Sequence, residues 1–535
     1  MSDNTKKQTF LHGAALLAMA TAVVKVIGAF YKIPLKGIIG DQGYGYFITA
    51  YDVYSVLLLI STAGLPVAMS RMISQANALG NYNQVRRVYK TARGIFLGLG
   101  IFSSLFMVLG SNWLANEVLM QPNAAYAIAA LGPCALFMGL ISTFRGFFQG
   151  HGNMRPTSNS QVLEAAVKLA VGLGLAWILM GQFQSVPVAA AGAIFGVTFS
   201  CLVSAVFLYG KFRPAYREMP IRGGEVLSYR ATAKSLLVIA IPITIGSAGL
   251  QLLTVLEQKL YMGQLLTSCG FSQDTADTMK GIYSMTMTIY NMPCAFIVPI
   301  AISVIPAITS HLTLNNDKGV RETEESAARI AGLISMPCAV GLGLLAEPIV
   351  ALLGGYTGEK LVLAANLMRV LSLCVFLYAI IQYTNALMQA HGYAYIPVVN
   401  MLLAGVVKLG VVYLLTGNPQ LGILGAPIGS VLGYTAIAAM NLLSISRVVP
   451  QKPALLKNLL RPVLPAAIMG LSVYGAHRLA IYLLGADGSR IILCGVPITV
   501  GVAVYLVAVV LFKAITREDC QLLPKGDKIA KMLKL

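Results

Sequence analysis

Apolar segments long enough to cross a lipid bilayer follow one another along almost the whole of this 535-residue chain. The hydrocarbon core of a bilayer is about 30 Å thick, and a helix of roughly 20 residues crosses it. Because lipid offers no partners for backbone N–H and C=O groups, such segments fold as helices, which satisfy these groups internally. The sequence therefore predicts an all-α polytopic membrane protein with fourteen transmembrane helices, near residues 11–38, 46–74, 87–110, 124–149, 159–181, 187–210, 232–266, 281–310, 326–346, 361–389, 396–416, 424–446, 458–484 and 490–513.

The low content of charged residues separates this chain from soluble proteins. Charged residues make up 11% of it and hydrophobic residues 57%, whereas soluble domains carry about 25% charged residues. A net charge of +19 can indicate nucleic acid binding, but the sequence contains no basic domain to carry it, so we expect membrane lipids and no nucleic acid as partners. The eight cysteines occur singly and without CxxC spacing, which predicts neither a disulfide framework nor a metal site.

The basic residues lie mostly in alternate connections between the predicted spans. Cytoplasmic connections of membrane proteins carry an excess of Lys and Arg, so we assign the more basic side to the cytoplasm. An even number of spans agrees with a cell-membrane protein whose two termini are both cytoplasmic. The opposite side carries few basic residues: Lys280, Lys360, Arg478 and Arg490.

One short motif occurs twice at equivalent places. Gln149-Gly150-His151-Gly152 recurs 240 residues later, from 149 to 389, as Gln389-Ala390-His391-Gly392, and Lys168 likewise recurs as Lys408. The motif ends the fourth span and then the tenth, so each half has six spans and begins on the same side of the membrane. We therefore predict two parallel six-helix lobes, 1–225 and 226–450, followed by two added helices and a basic cytoplasmic tail at 451–535.

Lysines within the first span are the most informative charged residues. A charge at the centre of a membrane helix costs about 2.5 to 3.5 kcal/mol, so it should face protein or water. Lys25, Lys32 and Lys36 are spaced seven and four apart and therefore share one face of a helix. Lys36 has an alternative, since it can extend to the outer interface. Lys25 lies too deep for that, which favours a water-filled cavity.

The repeated lysines are further candidates. Glu164 and Lys168 are four residues apart on the fifth span, where they can neutralise each other. Lys408 has no acidic residue in its own span, which leaves it freer to meet a ligand.

Other ionisable residues in the spans carry weaker signals. Arg145 and Arg369 lie in the fourth and tenth spans, although Arg145 can also be a cytoplasmic anchor. Asp52 lies in the second span and Glu257 in the seventh. Glu257 can be a proton or sodium site, or the partner of a lysine across a cavity.

Three sequence stretches resemble a known transporter superfamily. Lys25-Val26-Ile27-Gly28, Ile39 to Phe47 (IGDQGYGYF) and Gly64 to Arg71 (GLPVAMSR) are similar to motifs of flippases in the multidrug/oligosaccharidyl-lipid/polysaccharide (MOP) superfamily, in its stage V sporulation protein B and MurJ-like lipid II flippase branch. The resemblance implies two lobes around a central cationic cavity and a lipid-tail groove at spans thirteen and fourteen. Lys25 takes the place of a cavity arginine. A second arginine of the family would fall at Tyr31, beside Lys32.

The resemblance implies an alternating-access flippase, not an enzyme, that moves an undecaprenyl-diphosphate-linked sugar from the inner to the outer leaflet for peptidoglycan synthesis, with lipid II as the expected substrate. We expect Lys25, Lys32 and Lys408 to bind the diphosphate, and Glu257 to contribute to coupling with sodium, protons or the membrane potential. We expect a monomer without a cofactor. The expected substrate-contacting residues of the cavity are Lys25, Lys32, Lys36, Asp52, Arg145, Lys168, Arg369 and Lys408.

Four alternatives remain open on the sequence. The substrate can be another polysaccharide precursor. A multidrug or cation antiporter of the same superfamily should present an acidic cavity, and this chain is mainly basic. A membrane glycan polymerase or ligase would need acidic or His groups at an extracytoplasmic surface, where the predicted loops are short. A scaffold without transport activity is the fourth.

Overall fold

The computed structural model describes residues 3–62, 64–221, 224–450, 453–485, 488–516 and 519. Over these residues the chain forms helices joined by short turns, and it forms no β-strand there. The prediction of an all-α fold is confirmed.

Nine helices lie in the described residues up to 313. They are α1 (Asp3–Thr62), α2 (Leu65–Ala78), α3 (Tyr82–Leu109), α4 (Ser111–Trp113), α5 (Ala125–Gly150), α6 (Arg155–Phe183), α7 (Val186–Arg217), α8 (Tyr229–Thr267) and α9 (Gln273–Thr313). A π-helical turn at Leu114–Val118 and a 3-10 turn at Pro122–Ala124 connect α4 to α5. Prolines stand in the first turns of α2, α6 and α7, where the N–H that proline lacks would have no partner within the helix.

Eight helices follow in the rest of the described chain. They are α10 (Asp317–Leu344), α11 (Ala346–Gly354), α12 (Gly358–Ala390), α13 (Tyr395–Thr416), α14 (Gly425–Val448), α15 (Leu455–Leu460), α16 (Val463–Leu484) and α17 (Arg490–Leu511). A 3-10 turn at Gly422–Leu424 leads into α14.

Gly40 interrupts α1 at the boundary between the first two predicted spans. Its backbone has φ 70° and ψ −172°, a conformation that a residue with a Cβ avoids. Because the helix is broken there, α1 consists of two helical segments. The first corresponds to the span predicted at 11–38, and the second begins the span predicted at 46–74.

The long helices coincide with the predicted spans. Ten helices within the described residues are long and apolar enough to cross a membrane. The first two predicted spans lie on α1 and α2, the span at 458–484 lies on α15 and α16, and each of the others lies on one long helix. Fourteen spans are consistent with this arrangement.

The chain forms two compact units. The first comprises Met1–Gly263 and Ser272–Gly281, and the second comprises Gln264–Phe271 and Ile282–Leu535. Most of α8 and the first two turns of α9 therefore pack with the first unit, whereas the sequence repeat divides the chain at residue 225. The lobe boundaries 1–225, 226–450 and 451–535 stay a prediction.

Glycine allows two helices of the first unit to approach closely. A Cβ placed on Gly196 of α7 would lie 2.3 Å from the Cα of Gly172 on α6. A Cβ on Gly172 would itself meet the hydroxyl of Tyr31 from α1. Small residues at such contacts let membrane helices pack backbone to backbone. The contact therefore sets α6, which carries Lys168, beside the Tyr31 segment of α1.

A buried ion pair joins distant segments of the second unit. The guanidinium of Arg329 on α10 donates to both carboxylate oxygens of Asp519, with the shortest distance, 2.8 Å, from Nη2 to Oδ1. Its Nη1 also donates to Oδ1 of Asn458 on α15 at 2.9 Å. The Arg329 side chain is 8% exposed and that of Asp519 is fully buried. The pair attaches the chain after α17 to α10.

Candidate functional site

Lys32 and Lys168 come together in the first unit beside Tyr31. The ammonium of Lys168 lies 5.7 Å from the centre of the Tyr31 ring. Tyr31 is buried, and its hydroxyl donates to the carbonyl of Ala193 on α7 at 3.0 Å, which holds the ring in place. Lys32, on the adjacent position of α1, interacts electrostatically with Lys168 and Asp52. Both lysines are half-buried, and they lie on different helices.

Glu164 pairs with Arg145 in the structure. The distance from Nη2 of Arg145 on α5 to Oε2 of Glu164 on α6 is 3.0 Å, and Nε of Arg145 donates to Ser160 at 3.1 Å. This pair takes the place of the Glu164–Lys168 pair that the sequence spacing allowed. The charge of Arg145 is thereby balanced, while that of Lys168 is directed towards Tyr31.

The other lysines of the first-span stripe have different surroundings. The ammonium of Lys36 lies 3.2 Å from Oδ1 of Asp41, just beyond the break at Gly40. The backbone of Lys25 is part of α1, but its side chain lies outside the described residues. Among the predicted lysines whose side chains the structure describes, Lys32 interacts with a second cation, Lys168.

Asp52 pairs with a lysine that was expected in a connection outside the membrane. The ammonium of Lys280, in α9, lies 3.7 Å from Oδ2 of Asp52 and donates to Oε1 of Gln258 at 3.1 Å. It also lies 5.5 Å from the centre of the Tyr261 ring. The side chain of Lys280 is only 5% exposed. Burial is tolerated because a carboxylate and an amide compensate the charge.

Glu257 completes this charged group. It is buried on α8, next in sequence to Gln258, and it interacts electrostatically with both Lys280 and Asp52. Because Lys32 also interacts with Asp52, two carboxylates and two lysines take part in this charged group.

A network of neutral side chains extends this group towards the start of α9. Gln258 donates to Thr49 at 3.0 Å, and Gln121 donates to Oδ1 of Asp277 at 2.9 Å. Tyr46 donates to Oδ2 of the same, fully buried carboxylate at 2.8 Å. Sequence reasoning missed these residues because it followed charges within the spans. Uncharged Gln and Thr at those depths are a signal of the same kind, since they too need partners in lipid.

Lys408 and Arg369 belong to the second unit. The side chain of Lys408 on α13 packs along α14. A Cβ added to Gly433 of α14 would lie 2.8 Å from the Cβ of Lys408. Arg369 on α12 is half exposed, lies 3.7 Å from Glu347 at the start of α11, and donates to Asn366 at 2.7 Å. Their predicted roles in substrate binding stay predictions.

The two repeated turns are held differently. Nδ1 of His151 lies 2.8 Å from the carbonyl of Phe147, and burial lowers the pKa of His151. Nε2 of His391 instead lies 2.6 Å from the fully buried carboxylate of Glu324 on α10. Both contacts are internal to the protein, so the repeat marks equivalent turns of the fold.

The sequence is similar to a known protein family and to two named bacterial proteins. A family model described as polysaccharide biosynthesis protein matches residues 10–311, and a second model with the same description matches residues 273–362. Stage V sporulation protein B of Bacillus subtilis (strain 168) is 25% identical over 97% of this chain and 98% of its own length. Lipid II flippase MurJ of the same organism is 25% identical over 86% of this chain and 87% of its own length.

Solved structures show the same fold. A structure of lipid II flippase MurJ in an inward closed conformation superposes with a TM-score of 0.67 at 15% identity, over 93% of this chain and 98% of that one. An inward-facing multidrug resistance MATE family transporter of the MOP superfamily gives 0.65 at 17% identity, over 80% and 99%. Where these names state an activity, it is that of a flippase or transporter, not of an enzyme. Together with the ten apolar helices, the similarities identify a multi-pass membrane protein.

Proposed function

This chain belongs to the polysaccharide biosynthesis protein family and has the fold of MOP superfamily transporters, and we propose that it is a flippase for an undecaprenyl-diphosphate-linked sugar. The observation that carries the proposal is the electrostatic interaction of Lys32 on α1 with Lys168 on α6, whose ammonium lies over the Tyr31 ring. A diphosphate needs more than one cation to compensate its charge away from water. Two lysines on separate helices supply this without a metal ion.

The balance of charge in the first unit supports an anionic substrate. Lys32 interacts with Asp52, Lys280 interacts with Asp52 and Glu257, and Lys168 adds a third cation that interacts with Lys32. Because Asp52 is already paired with Lys280, the charges of Lys32 and Lys168 exceed what it can balance. An antiporter of drugs or cations would need an excess of negative charge in its cavity, so the excess of lysines disfavours that alternative.

Lipid II is the substrate that we propose, for peptidoglycan synthesis in vegetative or sporulating cells. Its support is the similarity to lipid II flippase MurJ and to stage V sporulation protein B. In this proposal both termini are cytoplasmic, the protein acts as a monomer, and access alternates between the two leaflets. Lys25, Lys36, Arg145, Arg369 and Lys408 remain proposed substrate contacts, of which Lys408 adds a further cation for the diphosphate.

Purified protein in liposomes tests the substrate. We expect lipid II placed in one leaflet to become accessible to a reagent on the other side at a rate above that of protein-free liposomes. An undecaprenyl-diphosphate sugar without the peptide and an uncharged polyprenyl lipid are the comparison substrates. If only the peptide-free lipid moved, it would be the substrate in place of lipid II, and the proposed flippase activity would stand. If no diphosphate-linked lipid moved, the flippase proposal would fail, and lengthened glycan products would indicate a polymerase.

Glu257 is the proposed site of ion coupling. We expect Glu257→Gln to abolish the stimulation of translocation by an imposed sodium or proton gradient, because the amide cannot supply the second carboxylate beside Lys280. Glu322→Gln is the matched control, since Glu322 is an exposed residue of α10 that pairs with Lys318 at the surface. Gradient stimulation of the Glu257 variant equal to that of the control would contradict the assignment.

A further inference from the structure

A groove of about 650 Å³ opens on the first unit between α3, α5 and α7. We call it the basic groove. One end carries Lys90 and Arg93 of α3 together with Arg213 and Arg217 of α7. These residues lie outside the site of Lys32 and Lys168, and the proposed function does not use them.

The side chains of these four basic residues are exposed, and the two on each helix are close in sequence. Lys90 and Arg93 are three residues apart, and Arg213 and Arg217 are four apart, so each pair shares a helix face. Like charges at such spacing destabilise a helix unless an anion compensates them. Among the described residues that line the groove, none is acidic. This end therefore suits an anion from outside the protein.

The wall behind the bases is aromatic and rigid. The rings of Tyr89 and Phe212 stack with their centres 4.6 Å apart, and Phe212 lies 5.1 Å from Tyr216. The guanidinium of Arg93 lies 5.8 Å from the centre of the Tyr89 ring. Stacking and the cation–π contact restrict where that guanidinium can go, so part of the cationic end is preorganised.

The remaining wall is apolar and exposed. Leu202, Val206 and Tyr209 line the groove on α7 and are all exposed. At 1.5 Å per residue, Val206 and Leu202 lie roughly 10 and 16 Å along the helix from Arg213. One leaflet of hydrocarbon is about 15 Å deep. The apolar wall thus extends from the bases by about the length that acyl chains occupy.

We propose that the basic groove binds an anionic phospholipid, with the phosphate at Lys90, Arg93, Arg213 and Arg217 and the acyl chains along Leu202 and Val206. Both α3 and α7 are among the helices that are long and apolar enough to cross the membrane. Arg213 and Arg217 lie in the last two turns of α7, where basic residues are at headgroup depth and attract anionic lipid. Lys90 and Arg93 line the same groove from the third and fourth turns of α3. The apolar wall distinguishes a lipid from a soluble anion, which would gain nothing from it.

Lipid retention by the purified full-length protein tests the proposal. The protein is equilibrated in nanodiscs or mixed micelles with equal amounts of dioleoyl phosphatidylglycerol and dioleoyl phosphatidylcholine, and bound lipid is counted by native mass spectrometry. We expect preferential retention of phosphatidylglycerol and a higher midpoint of thermal unfolding in its presence. Arg93→Gln with Arg213→Gln should weaken this retention by about tenfold or more, because each base near an anionic membrane surface contributes about fivefold.

Two controls separate the proposal from general surface charge. Arg155→Gln with Arg447→Gln removes the same charge at exposed residues outside the groove and should keep the preference. Leu202→Ser with Val206→Ser keeps the charge and should still reduce retention. If the double variant Arg93→Gln with Arg213→Gln does not elute as a monodisperse species, the single variant Arg213→Gln is measured in its place.

Three results would overturn the proposal. The first is equal retention of the two lipids by the wild-type protein. The second is an equal loss in the groove variant and in the Arg155 and Arg447 control. The third is stabilisation by inorganic phosphate as strong as that by phosphatidylglycerol, with no effect of the serine substitutions, which would indicate a soluble anion. Because no transport is measured, these results leave the proposed flippase activity untouched.

Discussion

Substituting Lys32 and Lys168 together by glutamine should lower the rate of lipid-linked glycan translocation by about a hundredfold. A hydrogen bond to a charged group contributes about 1.5 to 3 kcal/mol, and each 1.4 kcal/mol is a factor of ten. The two lysines lie on different helices and interact electrostatically with each other, so we expect both to contact one diphosphate. The measurement is the initial rate in liposomes at a substrate concentration below half-saturation, where loss of substrate binding lowers the rate directly.

Two sets of variants make this result specific. Lys32→Arg with Lys168→Arg keeps both charges and should retain most of the rate. Lys318→Gln removes a charge from a side chain that is 88% exposed, and it should leave the rate unchanged. Wild-type translocation by the double glutamine variant, at equal amounts of reconstituted protein, would remove these lysines from the substrate site.

The second large effect concerns stability and the pair of Arg329 with Asp519. Asp519→Ala should destabilise the protein by about 3 to 5 kcal/mol, because it leaves the guanidinium of Arg329 buried without a carboxylate. The expected measurement is a lower midpoint of thermal unfolding in detergent at a fixed scan rate. Glu322→Ala breaks an exposed pair with Lys318 on the same helix and should cost at most about 0.5 kcal/mol.

A double variant distinguishes the effect of losing the ion pair from the effect of leaving one buried charge without its partner. Arg329→Met with Asp519→Leu removes both charges, so it should be less destabilising than Asp519→Ala alone. If Asp519→Ala shifts the midpoint no more than Glu322→Ala does, the contact of Asp519 with α10 contributes nothing to stability.

The long helices, and the boundary between 38 and 46 in which the break at Gly40 falls, were predictable because their signals are local. Burying roughly 20 consecutive apolar residues in lipid requires a helix whatever the rest of the chain does. A glycine between two such segments marks a place where the backbone can leave helical geometry. The repeated Gln-x-His-Gly motif likewise predicted equivalent turns, and both copies do end a long helix, α5 and α12.

The partners of the charged residues were less predictable. Spacing on one helix suggested that Glu164 would meet Lys168, yet Arg145 of the preceding helix lies 3.0 Å away and takes that place. A side chain three or four residues along is only one of several neighbours once helices pack. The distance between helices and their rotation decide which neighbour is nearest, and neither can be read from one helix.

The sequence alone determined that this protein is a bundle of membrane-crossing helices with lysines in its first span, because hydrophobicity and charge act on each segment independently. Only the tertiary structure decided that Lys32 meets Lys168, that Asp52 meets Lys280, and that Arg329 meets Asp519, 190 residues away. Buried charges require partners, but this requirement does not determine which residues provide them. Close helix packing, such as that of Gly172 against Gly196, selects which charges come within reach.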